Sequence, residues 1–234
     1  MTQRYEWLLF DADGTLFDYD RSEGIALQRA LTDVGLPFES PHLPLYREIN
    51  LQLWQALERG EVTPARLRVQ RFERLLAAIA PEAALETVTL LSIAYVNHLA
   101  GCAELIDGAE AVLDALAEHY RFAILTNGLH IVQHSRLACS TIRHHIAHLV
   151  TSEEVGYAKP RREFFEAALA RLGSPAKSAV LMIGDSLTSD MQGGVDYGID
   201  TCWYNPTAQI RPARLPLTYE IAALAELVEL LDHV

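Results

Sequence analysis

Two aspartates one residue apart, Asp11 and Asp13, end the apolar run Trp7-Leu8-Leu9-Phe10 and are followed at once by Gly14 and Thr15. An extended chain sends residues i and i+2 to the same side, so both carboxylates leave the strand end together. Such a pair suits a divalent cation and a phosphoryl group held at the carboxyl end of a buried strand. The same residues would also make a plain acidic turn, because Asp and Gly favour turns. Further signals separate the two readings. The strand pattern at 122–125 ends in Thr126-Asn127-Gly128, and that at 179–183 ends in Gly184-Asp185-Ser186-Leu187-Thr188-Ser189-Asp190. Between them Lys159-Pro160 opens a helical pattern, Glu163 to Leu172. Polar groups of these kinds, in this order and each next to an apolar element, point to phosphoryl chemistry.

The elements that must hold these residues follow from hydropathy. After Thr15 the pattern is helical as far as about Leu105. Ile25, Leu27, Leu31 and Val34 mark one amphipathic helix, stopped by Gly35-Leu36-Pro37. Tyr46, Ile49, Leu53, Ala56 and Leu57 mark a second, stopped near Gly60. Thr63-Pro64 reads as an N-cap with proline at the first helical position, opening a helix through Leu67, Phe72, Leu75, Leu76 and Ile79. A fourth helix spans about Glu82 to Leu99. From Gly108 onward strands at 122–125, 148–151, 179–183 and 201–203 alternate with helices at 109–120, 131–143, 163–172, 189–197 and 221–231. Strands separated by helices imply right-handed crossovers and a doubly wound, mostly parallel α/β sheet. Residues 17–104 then form an all-helical insertion after the first strand, and residues 1–16 with 105–234 form the α/β core.

In this order of motifs the chain resembles the haloacid-dehalogenase-like superfamily of phosphohydrolases, across essentially its whole length. The resemblance implies a Rossmann-like core with a helical cap domain inserted after the first strand. The first and fourth core strands lie side by side in that family, which would bring Asp11, Asp13 and Asp185 to one rim. Asp11 would be the nucleophile that forms an aspartyl-phosphate. Asp13 would protonate the leaving oxygen and then deprotonate the attacking water. Mg²⁺, replaceable by Mn²⁺ or Co²⁺, would be held by the Asp11 and Asp185 side chains and the Asp13 carbonyl. Thr126, Asn127 and Lys159 would bind the phosphoryl group, with Lys159 also beside the nucleophile. Asp190 and Ser186 would support the metal site from behind.

Within that superfamily, Asp13 and Asp185 argue for phosphate esters over the metal-free chemistry of the dehalogenases. No lysine lies between Phe17 and Leu105, so the cap lysine of phosphonate hydrolysis is missing. Phosphohexomutases share Asp11 and Asp13. The chain looks most like the pyrimidine-nucleotide 5′-phosphatase branch. The likeness lies at Asn50-Leu51-Gln52-Leu53-Trp54, Gly60-Glu61-Val62-Thr63 and Arg71-Phe72-Glu73, then at Ser152-Glu153-Glu154-Val155-Gly156 and Thr201-Cys202-Trp203 with Asn205. It implies a small phosphorylated metabolite, a pyrimidine nucleoside 5′-monophosphate, as substrate. Trp54 and Phe72 lie where core packing of the helical insertion is the default; the resemblance adds the alternative that they stack the base, with Asn50 and Arg71 completing the substrate-contacting set of the cap. N-acylneuraminate-9-phosphatases are similar in cap size and motif pattern. Gly14 departs from the branch, whose members carry Glu at that position.

Composition narrows the partners. The 234 residues are 50% hydrophobic, enough for a sizeable core, and the formal net charge of −12 disfavours nucleic acid and anionic membrane. Cys102, Cys139 and Cys202 are odd in number and far apart, which reads as reduced thiols in a cytoplasmic protein. No apolar stretch has the length of a membrane span. His130/His134 and His144/His148 are each spaced i, i+4, a spacing that can bind Zn²⁺ on one helix face; without a nearby ligand partner in sequence they read as solvated helix faces.

Overall fold

Strand β1 (Trp7–Phe10) is buried on both faces, as its unbroken apolar run demands of a central parallel strand. In the computed structural model, which describes residues 4–233, β1 lies between β2 (Arg121–Thr126) and β4 (Val180–Gly184). With β3 (Ile146–Thr151), β5 (Asp200–Tyr204) and β6 (Tyr219–Ile221), the order is β3-β2-β1-β4-β5-β6, with every pairing parallel. The chain winds one way from β1 to β3 and the other way from β4 to β6. The direction reverses beside β1, where open α/β sheets place ligands. Phe10 registers with Ile124 on one side and Ile183 on the other. Asp11 and Asp185 therefore follow the ends of β1 and β4, and Thr126 is the last residue of β2 beside them.

Side chains alternate between two cores. Leu8 and Phe10 share one with Phe122, Ile124, Leu181 and Ile183, covered by α5 (Ala109–Leu116) and α10 (Glu226–Asp232). Trp7 and Leu9 share the other with Ala123, Leu125, Val180 and Met182, covered by α8 (Arg162–Arg171) and α9 (Gln192–Tyr197). The period of two within each strand thus builds a helix layer on each face.

Four helices, α1 (Tyr19–Asp33), α2 (His42–Glu58), α3 (Pro64–Ile79) and α4 (Leu85–Ala100), make a separate compact unit of residues 19–102. Thr63 caps α3 by accepting from Arg66 N–H at 3.2 Å, with Pro64 at the first position. Its interior contains Leu27, Leu31, Leu53, Leu67, Phe72, Leu75, Leu91 and Tyr95.

Several elements differ from the sequence expectation. The helix expected over 131–143 is α6 (His130–Cys139) followed by a 3₁₀ turn, Thr141–His144, because Ser140 turns to extended backbone and caps that turn. His148 lies on β3, so His144 and His148 do not share a helix. A short helix α7 (Ser152–Val155), closed by a Thr151/Glu154 capping box, follows β3. The helix expected over 189–197 opens instead as a π turn, Leu187–Met191, before α9. Residues 219–221 form the edge strand β6, and the last helix starts at Glu226 rather than 221.

Candidate active site

Lys159 is the hub of the rim. Its ammonium is 1% exposed and donates to Asp11 Oδ1 at 2.5 Å, Asp190 Oδ1 at 2.6 Å and Leu125 O at 2.6 Å. All three donors of the ammonium are engaged. Burial alone would pull this group down, but Asp11 and then Asp190 more than offset it and hold the ammonium above the ordinary lysine value. Asp190 is fully buried, and its second oxygen accepts the Ser186 N–H at 3.1 Å. Gly184 has no room for a Cβ, because that atom would meet Asp190 Cβ at 2.8 Å. Asp190 thus braces Lys159 and the turn after β4 together.

Asp11, Asp185 and Asp190 bring carboxylate oxygens within 4.8 Å of one another. Burial pushes the Asp11 carboxyl well above its usual range, Lys159 opposes the shift, and neighbouring carboxylates add to it. Burial, then Asp190, pushes Asp185 up to about 7. Thr15 Oγ1 donates to Asp185 Oδ1 at 3.4 Å, and Trp203 Nε1 donates to the Asp185 carbonyl at 2.9 Å. Three crowded carboxylates against one lysine leave negative charge uncompensated. A hard divalent cation relieves that excess, so the donor set fits Mg²⁺. Asp190 is the member already committed to Lys159 and Ser186, which leaves Asp11 and Asp185 as the carboxylates with oxygens to offer.

Asp13 is held from α6. Gln133 Nε2 donates to its Oδ2 at 2.5 Å, and the fully buried Arg136 guanidinium donates to its Oδ1. Neither partner was legible in the sequence. They stand three apart on one helix face, and their target lies 120 and 123 residues away. The sole local signal is Gly128, where a Cβ would run into the Gln133 side chain.

Thr126 is 1% exposed, and its hydroxyl accepts the Gly128 N–H at 2.9 Å. Asn127, expected to bind phosphate, uses both ends of its amide on the Lys159 backbone. Gly14 adopts φ +83°, and a Cβ there would stand 2.6 Å from Asp185 Oδ2. The departure from Glu at that position therefore has a local counterpart in where the Asp185 carboxylate rests.

The four cap residues fall within the helical unit. Asn50 is buried and donates to Tyr19 Oη at 3.1 Å and Glu23 Oε1 at 3.3 Å. Phe72 is fully buried between Tyr46 and Tyr95, with ring centroids 5.7 and 5.2 Å away. Phe72 is thus packed on both faces within the helical unit, the core role that its apolar position also allows. Arg71 is 1% exposed, stacked on Phe72 and Tyr95, with Nε and Nη2 unpartnered. Trp54 is half-buried on α2.

Residues 5–198 match the family model for haloacid dehalogenase-like hydrolases. The chain belongs to that family. This haloacid dehalogenase-like hydrolase is 35% identical to the pyrimidine 5′-nucleotidase YjjG of Escherichia coli, over 97% of this chain and 98% of that protein. It is 34% identical to the pyrimidine 5′-nucleotidase PynA of Streptococcus pneumoniae, over 97% of this chain and 95% of that one. The magnesium-bound crystal structure of the putative HAD-hydrolase YfnB from Bacillus subtilis superposes with a TM-score of 0.91 at 35% identity, covering 98% of this chain and all of that one. Among the described residues, no helix is long and apolar enough to cross a membrane.

Proposed function

We propose that this hydrolase is a Mg²⁺-dependent phosphatase of pyrimidine nucleoside 5′-monophosphates. The observation that carries the chemistry is the buried Asp11–Lys159–Asp190 chain beside Asp185, a nucleophile held by a cation at the edge of a cation-binding cluster. Similarity to YjjG and PynA over nearly the full chain supports the substrate class. The magnesium-bound relative supports the choice of metal.

Asp11 and Asp185 side chains, with the Asp13 carbonyl, would hold the ion. When bound, it neutralises charge on the phosphoryl oxygens. Lys159 orients Asp11 and opposes the protonation that burial favours. An Asp11 carboxylate oxygen attacks phosphorus and the P–O ester bond breaks, giving an aspartyl-phosphate. Asp13 would act as the general acid that gives a proton to the departing oxygen. It then takes a proton from the water that attacks phosphorus. Cleavage of the phosphorus–Asp11 bond releases inorganic phosphate and restores the carboxylate. Thr126 and the amides after β2 would cradle the phosphoryl oxygens.

Phosphate release from a panel of nucleoside monophosphates and sugar phosphates tests the reading. UMP, dUMP and dTMP should give the highest kcat/KM, and exhaustive chelation should abolish turnover until Mg²⁺, Mn²⁺ or Co²⁺ is returned. A sugar phosphate or N-acylneuraminate 9-phosphate ahead of the pyrimidine nucleotides would overturn the substrate assignment. Full activity after chelation would overturn the metal.

A further inference from the structure

Outside the acidic rim, the α/β unit assembles another group of ligating side chains. His130 and His134 stand one turn apart on α6, with ring centroids 4.2 Å apart, and Glu154 comes from α7. His130 Nδ1 is 3.6 Å and His134 Nε2 is 3.8 Å from one oxygen, Glu154 Oε2. All three residues offer a ligand atom within 4.8 Å of the others. Those separations are long for hydrogen bonds. They approach the roughly 3.4 Å between neighbouring ligands of a tetrahedral ion with bonds of about 2.0–2.1 Å.

The carboxylate is oriented before any ion arrives. The N–H and Oγ1 of Thr151 donate to Glu154 Oε2 at 3.1 and 3.0 Å, the kind of support that ligating carboxylates receive. Arg171 is the competing cation at 3.5 Å, and it is partly exposed, so its side chain has room to leave. His130 Nδ1 has one long contact, 3.4 Å to Thr151 Oγ1, which an ion would displace; at the other imidazole cluster the bonds are short, His145 Nε2 with Asp114 Oδ1 at 2.7 Å and His144 Nδ1 with Thr141 O at 2.8 Å.

We propose that His130, His134 and Glu154 form a site for a transition-metal dication of the Zn²⁺ class, with water completing its coordination. Two imidazole nitrogens and one carboxylate favour Zn²⁺, Cu²⁺, Ni²⁺ or Co²⁺ over Mg²⁺, so the site is chemically distinct from the all-oxygen cluster at Asp11 and Asp185. Its position gives it a consequence. The His130 N–H donates to Glu153 Oε2 at 2.7 Å, and Ser152 Oγ donates to Asn127 O at 3.2 Å. A metal joining α6 to α7 therefore clamps the two elements that flank the Thr126–Gly128 loop.

Zn²⁺ titration of the full-length protein by calorimetry, in excess Mg²⁺, tests the site. One Zn²⁺ should bind per chain, His134→Ala should weaken it by at least roughly 10-fold, and Asp11→Asn and His144→Ala should leave it unchanged. Electron paramagnetic resonance of the Cu²⁺-loaded protein should show hyperfine coupling to two imidazole nitrogens, reduced to one in His134→Ala. Circular dichroism of each variant establishes that it is folded. Absence of Zn²⁺ binding, binding lost with Asp11→Asn, or a two-nitrogen signature that survives in folded His134→Ala would overturn the proposal.

Discussion

Asn127 grips Lys159 at both ends of its amide: Nδ2 donates to the Lys159 carbonyl at 2.9 Å, and the Lys159 N–H donates to Oδ1 at 2.8 Å. The pair joins the loop after β2 to the segment before α8 and fixes the backbone from which the ammonium reaches Asp11. A group that touches neither Asp11 nor the carboxylate cluster thus sets where the Lys159 ammonium stands.

Asn127→Ala should lower kcat by roughly 10- to 100-fold, as loss of a supporting partner does, while KM changes little. Asn127→Asp keeps the acceptor for the Lys159 N–H and loses the donor to its carbonyl, so it should retain more activity than Asn127→Ala. Steady-state kinetics of both variants decide the matter. A rise in KM at unchanged kcat would mean that Asn127 binds substrate instead.

Asp13→Asn should separate substrates by leaving group. The amide keeps a backbone carbonyl for the metal but has no proton to transfer, so alkyl phosphates should lose most turnover, on the order of 10²–10⁴-fold. p-Nitrophenyl phosphate, whose leaving group needs no protonation, should lose less. Equal losses on both would remove Asp13 from the general-acid role. Because Arg136 and Gln133 both donate to the carboxylate, the asparagine also meets one donor too many.

How much of this was legible in the sequence depends on the range of the interaction. β1, β2 and β4 were readable because buried parallel strands are near-continuous apolar runs, and α3 because Thr63-Pro64 is a local start signal. The three-residue strand β6 is too short to carry a period; it exists because Cys202 to Tyr204 of β5 leave an edge to pair with. The break at Ser140 comes with neither Gly nor Pro. Asp11 and Asp185 stood out because each ends an apolar strand pattern, and Lys159 because it precedes Pro160 at its place in the order of motifs. Gln133 and Arg136 did not, since a polar pair on a helix face looks solvated until its distant partner is known. Phe72 was readable as apolar, but only the fold shows that Tyr46 and Tyr95 occupy its faces.

Gly14→Ala combines two penalties. The residue sits at φ +83°, where a Cβ is strained, and that Cβ would press on Asp185 Oδ2 at 2.6 Å. Stability should fall by roughly 1–3 kcal/mol, the range for a strained backbone position. The displaced Asp185 carboxylate should raise the Mg²⁺ concentration for half-maximal activity, by about 10-fold if metal binding loses ~1.4 kcal/mol. Thermal melts and Mg²⁺ titrations read the two effects separately. An unchanged Mg²⁺ requirement would show that Asp185 yields without consequence.

Lys159→Met gives the sharpest test of the electrostatic argument. The lysine is the cation between Asp11 and Asp190, and its side chain and that of Asp190 are essentially out of water. Removing one partner from a buried ion pair leaves the other charge uncompensated and costs roughly 3–5 kcal/mol. The metal-free variant should therefore melt well below the wild-type protein. Activity should fall by at least about 10²-fold, because the nucleophile loses both its orientation and its positive neighbour. Mg²⁺ supplies charge to the same cluster and binds the folded state alone, so it should raise the Tm of Lys159→Met more than that of wild type. Differential scanning calorimetry with and without Mg²⁺ gives both shifts. If Mg²⁺ raised the two melting temperatures equally, Lys159 and the metal would not be compensating the same carboxylates.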